Sequence, residues 1–231
     1  MDETLAIQQT LRYAEELRDL HAEERVQRAR AERALARLEA SYRTTVRALA
    51  AALELRDDIT GGHAERVSAL ALQLTQEVAP ELAADPELEY GFLLHDLGKI
   101  GIPDAILLKP GPLDAGERST MRKHPVLGER IVSRVPYLSG VARQVVVAHH
   151  ERWDGEGYPS GLGGAEIPLA ARIFALADAF DAITSERPYR SAQTTEHALE
   201  EIHDGAGSQF DPELAEAFVT LAPTLQKREV A

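Results

Sequence analysis

Between Leu5 and Leu55 the chain contains neither glycine nor proline. These are the two residues that most readily end a helix, and the stretch is filled instead with Ala, Leu, Arg and Glu, all strong helix formers. One long helix, or two nearly continuous ones, is the expectation. Apolar residues recur along it at Ile7, Leu11, Ala14 and Leu17, and again at Leu35, Leu38, Tyr42 and Leu49. The middle, Glu23 to Arg33, has little stripe beyond Val26 and Ala29. A helix this long cannot bury itself alone, so it reads as a dimerising or relaying coil with an imperfect heptad.

The rest of the sequence is also helical in character. Apolar residues make up 44% of the chain but aromatics only 5%, so the core must be built mainly from Leu, Ala, Val and Ile. Arg56 to Gly62 is the first break, with Thr60 or the glycines ending one helix and starting the next. Further helices are expected over His63–Val78, Glu87–Lys99 (stopped by Gly101 and Pro103), Asp114–Arg134, Leu138–His150, Pro168–Thr184, Ser191–Asp204 and Asp211–Leu221. Asp114 with Glu117 forms a capping-box pattern. A Gly-rich loop runs from Asp154 to Gly164. The fold class is therefore all-α: an N-terminal helix over residues 1–47, a helical domain over 48–224, and a tail over 225–231.

There are no cysteines, which excludes disulfides and thiolate metal sites and suits a cytoplasmic setting. The N-terminus shows no signal-peptide pattern, and no stretch approaches the ~18 apolar residues of a membrane span. Net charge is −13, against non-specific binding to nucleic acid or an anionic membrane. Residues 1 to 45 hold nine acids and eight bases, so the excess lies almost wholly in the rest of the chain.

Histidine placement carries the chemistry. His63, His95, His124, His149 and His150 cluster around apolar helices, three of them in GFLLHD and VVVAHH. Buried polar groups in such places need partners, and a cation is the natural one. His21, His197 and His203 lie in charged helices and read as surface residues. Ligation by His and Asp alone suits Mn, Fe, Zn or Ni. A bridging carboxylate would allow two metals, which clamp the attacking and leaving oxygens of a phosphodiester and lower the pKa of a water.

From about Ala51 to Leu221 the sequence resembles the HD-GYP domain, a bacterial branch of the HD metal-dependent phosphohydrolase superfamily. The motifs are RDDITGGHAERV, LLHDLGKIGIPDAILLKPG, HHERWDGEGYPSGLGGAEIPLAARI, DAFDAITSERPYR and GSQFDPEL. The resemblance implies an HD-type helical bundle that cuts cyclic di-GMP to pGpG, and further to GMP in some members. Its metal ligands map to His63, His95, Asp96, His124, His149, His150 and Asp178, with Asp96 bridging. A trinuclear subset of the family has Glu four residues before the first ligand histidine; here that position is Ile59, so two divalent ions, Fe or Mn, are expected. Substrate contacts map to Asp57, Lys99, Tyr158, Arg187 and Arg190. Asp96, Lys99 and Asp181 are the catalytic candidates, Asp181 by orienting a water or a ligand histidine. Lys99 shares a helical face with His95 and Asp96 in this reading. Trp153 and Tyr158 are candidates for stacking a base. Another cyclic dinucleotide such as cyclic GMP-AMP, or a non-catalytic docking module for diguanylate cyclases, remain as alternatives. Receiver or sensory partners are also implied, while the partial apolar stripe of the N-terminal helix independently predicts a homodimer through that helix.

Overall fold

The computed structural model describes residues 3–56, 61–186 and 191–229, the side chains of 3–6 and 223–229 excepted. The helices are α1 (Glu3–Arg56), α2 (His63–Val78), α3 (Pro80–Ala83), α4 (Glu87–Leu93), α5 (Asp104–Leu107), α6 (Ala115–Met121), α7 (His124–Val132), α8 (Val141–Ala148), α9 (Leu169–Thr184), α10 (Thr195–Asp204) and α11 (Pro212–Glu229). Short 3₁₀ turns occupy Leu97–Gly101, Pro136–Leu138 and Gly164–Glu166. No strand occurs among the described residues, only an isolated bridge between Ala206 and Phe210. None of the helices is long and apolar enough to cross a membrane.

The chain divides into two units, residues 1–45 and 46–231. Over residues 1–45, α1 leaves apolar side chains exposed, among them Leu11, Tyr13, Leu17, Leu20 and Leu38. The second unit is a bundle in which α9 packs on α2, α8 and α10, while α4 packs on α2 and α8. Helix α9 is buried along most of its length, including Ile173, Phe174, Leu176 and Phe180. Its Phe174 stacks on Phe92 of α4, ring centroids 5.3 Å apart.

Helix α2 has the expected bounds, while several other helix ends differ from the sequence expectation. Helix α2 starts at His63 behind Gly62, whose φ of 91° is a left-handed geometry glycine adopts without strain. The Glu54 carboxylate caps it, accepting from Gly62 N (2.8 Å) and Ala64 N (2.5 Å). Thr60 lies outside the described residues. The expected Glu87–Lys99 helix ends at Leu93, so His95 and Asp96 sit in the turn that follows, before the 3₁₀ turn at Leu97. The expected Asp114–Arg134 helix is two helices. Its capping box is present, with Glu117 N donating to Asp114 Oδ1 (2.9 Å) and Asp114 N to Glu117 Oε2 (2.8 Å). Pro125 then breaks it, since proline has no N–H to give to the carbonyl four residues earlier, Met121. Helix α8 covers only Val141–Ala148 of the expected Leu138–His150, α10 starts at Thr195 rather than Ser191, and α11 continues past Leu221 through part of the expected tail to Glu229.

Candidate metal centre and active site

The helix ends that the sequence misplaced are what build the site. The last carbonyls of a helix lack partners within it. His95, just past α4, turns its ring back so that Nδ1–H donates to Phe92 O at 2.9 Å. His149, just past α8, does the same to Val146 O at 3.0 Å. His124, at the start of α7, donates to Met121 O at 2.9 Å, the carbonyl that Pro125 leaves unpaired. A carbonyl oxygen only accepts, so each Nδ1 carries the proton and each Nε2 presents a lone pair. His63 is oriented differently, its Nδ1 donating to the Asp181 carboxylate at 2.7 Å.

These Nε2 atoms converge with carboxylate oxygens. Asp96 Oδ1 lies 3.2 Å from His124 Nε2 and 3.8 Å from His149 Nε2, and its Oδ2 lies 3.1 Å from His95 Nε2. His63 Nε2 faces Asp178 Oδ1 at 3.4 Å. His124 Nε2 and His149 Nε2 are themselves 3.2 Å apart, two lone pairs facing one another. Such an arrangement repels unless a cation draws the donors together, and it is the donor set that His/Asp metal sites use. The seven residues gather into two groups, Asp96 with His124, His149 and His150, and His63 with His95 and Asp178. In each group the donor atoms lie within 4.8 Å of one another.

The electrostatics suit ligation. Burial together with neighbouring His150 pushes His149 well below the usual imidazole range, and burial with His124 lowers His150 to about 4, so both stay neutral. Burial opposes the charge on Asp96, but Lys99 and the neighbouring His95 hold its carboxyl well below the ordinary value. His95 is the exception: burial works against its protonation, but the Asp96 carboxylate beside it prevails and raises it, so a cation at Nε2 must displace a proton there. At Asp181 the bonds from His63 and Arg66 overcome burial and bring the carboxyl down to about 2.

Lys99 does reach Asp96, Nζ to Oδ2 at 2.8 Å, but across a 3₁₀ turn rather than along an α-helical face. Tyr158 stacks on His150 (centroids 4.7 Å, 29°) and lines a cavity of about 580 Å³ together with His149, His150, Asp178 and Arg122. Burial and the nearby Asp96 push its phenol up to about 12. Asp181 lies behind His63, held by Arg66 Nε at 2.7 Å, and does not line that cavity. Trp153 packs under Arg172, 5.8 Å from guanidinium to ring centroid, which makes it an anchor of its loop rather than a free stacking surface. His21, His197 and His203 belong to neither group. Asp57, Ile59, Arg187 and Arg190 lie outside the described residues.

Sequence reading missed four residues. Arg66 follows His63 by three positions and shares its helical face, a signal that was available. Arg122 stands over the Tyr158 ring at 5.0 Å. Glu54 and Glu151 act on backbone N–H groups eight to eleven residues further along the chain. No local pattern reveals such partners.

Comparison with known proteins agrees with this geometry. The family model described as HD domain matches residues 47–214. A cyclic di-GMP phosphodiesterase of Thermotoga maritima is 44% identical over 170 residues, covering 73% of this chain and 46% of that protein. A 3'3'-cGAMP-specific phosphodiesterase of Vibrio cholerae is 41% identical over 169 residues, covering 73% of this chain and 32% of its own length. The crystal structure of a cyclic GMP-AMP specific phosphodiesterase from V. cholerae superposes with a TM-score of 0.60 at 24% identity, over 79% of this chain and 49% of that one, a likeness of fold. The chain thus spans less than half the length of these curated relatives. With its helical bundle, its paired His/Asp groups and the HD-GYP motifs in place, the chain belongs to the HD domain family.

Proposed function

We propose that the chain is a metal-dependent phosphodiesterase that hydrolyses cyclic di-GMP to pGpG, with GMP as a further product, using two divalent ions, Mn or Fe. The observation that carries this is the convergence of four Nε2 lone pairs on the Asp96 and Asp178 carboxylates, with the histidine tautomers set by Nδ1–H donation. Asp96 is assigned as the bridge, because its two oxygens face histidines of both groups. Ions held there supply Lewis-acid polarisation of a phosphoryl oxygen and a water of lowered pKa.

The chain's own groups do the rest. Lys99 neutralises Asp96 and is assigned to the scissile phosphate on its motif position. Asp181 fixes the His63 ring so that Nε2 points inward. Arg122 and Tyr158 flank the cavity, the first offering charge to a phosphate and the second a flat face to a base. Asp57, Arg187 and Arg190 are assigned to the substrate on their motif positions. Residues 1–45 are read as a helix that pairs with a second copy, covering its exposed apolar residues and relaying signals from a sensory or receiver partner in the cytosol.

The test is metal analysis of protein purified without chelators, followed by turnover of cyclic di-GMP with Mn²⁺ or Fe²⁺ added. Two metals per chain and metal-dependent release of pGpG are expected. Loading of three ions, or none, overturns the binuclear assignment. The V. cholerae relative named for 3'3'-cGAMP favours a second substrate, so cyclic GMP-AMP belongs in the same assay. Faster turnover of it reassigns the substrate while leaving the reaction class in place.

A further inference from the structure

We propose that Glu151, which also lines the cavity, is a positioning residue for substrate binding: its carboxylate oxygens are spent on backbone donors, and it acts by holding Tyr158 against His150. The inference rests on the phosphodiesterase reading above. Glu151 directly follows the histidine pair and is only 4% exposed, yet it belongs to neither ligand group. Among the described residues no cation pairs with it. Both its oxygens are taken by backbone donors further along the chain, Ser160 N at 2.7 Å and Leu162 N at 3.1 Å. Burying a carboxylate costs several kcal/mol unless it is well bonded. Here the bonds exist only while the loop from Arg152 to Leu162 keeps its shape, so the carboxylate and the loop conformation stand or fall together.

That loop carries Tyr158. Tyr158 N donates to His150 O at 3.1 Å, and its ring lies on the His150 ring. Gly157 makes the approach feasible: a Cβ there would fall 2.6 Å from Glu151 Cα and 2.7 Å from Glu151 C. The outer part of the loop is fixed separately, by Trp153 N to Gln209 O (3.2 Å) and Asp154 N to Ser208 O (2.8 Å). Glu151 therefore governs the inner segment, tying Ser160 and Leu162, just past Pro159, back to the residue beside the histidine pair. Through it, the wall of the cavity that presents the Tyr158 ring is set by the same short segment that supplies two ligands.

Glu151→Gln tests this with little change of size, since an amide offers one acceptor oxygen where two N–H groups need one each. In the full chain loaded with Mn²⁺, KM for cyclic di-GMP should rise about tenfold, the equivalent of one charge-assisted hydrogen bond. The kcat and the bound Mn²⁺ should change little. The Ser160 and Leu162 amides, left with one acceptor oxygen between them, should exchange faster with solvent deuterium, a readout independent of activity. In the Glu151→Gln/Tyr158→Ala double variant, KM should match that of Tyr158→Ala alone, because a residue acting through another adds nothing once that other is gone. Gly157→Ala, which leaves the carboxylate in place, should reproduce the phenotype and serves if Glu151→Gln folds poorly. Additive effects on KM, or loss of Mn²⁺ with unaltered exchange at Ser160 and Leu162, overturn the proposal. A wild-type chain that binds no metal or leaves the substrate intact removes the functional reading instead, and amide exchange at Ser160 and Leu162 still reports whether Glu151 holds the loop.

Discussion

Gly98, two residues after Asp96, sits where the 3₁₀ turn Leu97–Gly101 meets the start of α7. A Cβ at this position would lie 2.7 Å from His124 C, and closer still to His124 O and Gly128 N. Non-bonded heavy atoms rest at about 3.5–4.0 Å, so in Gly98→Ala the two segments must part by about 1 Å. The obstructing atoms are backbone, which has no rotamer into which to retreat. Overpacking of this kind costs about 1–3 kcal/mol, and a backbone-on-backbone clash belongs at the upper end. At 2–4 °C per kcal/mol for a domain of this size, the melting temperature should fall by roughly 6–12 °C. The metal centre is affected more selectively. Asp96 Oδ1 and His124 Nε2, now 3.2 Å apart, lie on the two segments being separated. Metal–ligand distances tolerate only about ±0.2 Å, so a 1 Å shift should empty the group containing His124. The His63, His95 and Asp178 group does not use α7 and should keep its ion. Calorimetric titration with Mn²⁺ should show two sites in the wild type and one in Gly98→Ala. Gly61→Ala, with nothing within 4 Å of the added Cβ, is the control and should be silent. A Gly98→Ala chain that melts like the wild type and binds two ions would refute both the packing reasoning and the link between this turn and the site.

Asp96→Ala should abolish hydrolysis while leaving the helical circular dichroism intact, because α4 is held by Leu88, Phe92 and Leu93 in the core; turnover at wild-type metal loading contradicts the bridging role. Asp181→Asn removes the carboxylate that orients His63, and should weaken Mn²⁺ binding at that group by about 10–100-fold while the other site is unmoved, as read by titration. Unchanged affinity at both sites would reduce the Asp181–His63 bond to packing. Deleting residues 1 to 45 should lower the oligomeric state measured by sedimentation yet preserve metal stoichiometry, since every candidate ligand lies in the second unit. A full-length chain that sediments as a monomer at tens of micromolar, an ordinary range for weak association, leaves the helix without a pairing role.

Helical character was determined by the sequence alone, because a breaker-free run of 51 residues and an Ala/Leu-rich core act locally on the backbone. The residue types of the site were equally legible, since His-Asp and His-His doublets beside apolar runs need a cation and cysteine was absent to offer another chemistry. Local pattern could not assign them to positions in space. His95 and His149 were expected inside helices, but they sit one or two residues past the helix ends, where orphan carbonyls of Phe92 and Val146 accept their Nδ1–H and turn Nε2 inward. Pro125 was visible in the sequence, yet its effect, freeing Met121 O for His124, depends on where two helices meet. Asp181 reaches His63 across 118 residues and Arg66 across 115, and Glu151 reaches Leu162 around a loop. Propensity and periodicity report on neighbours within about one helical turn. Which lone pairs face one another, which carboxylate orients a histidine and which one shapes a loop are properties of the packed chain, decided only when distant segments close on the same few ångströms.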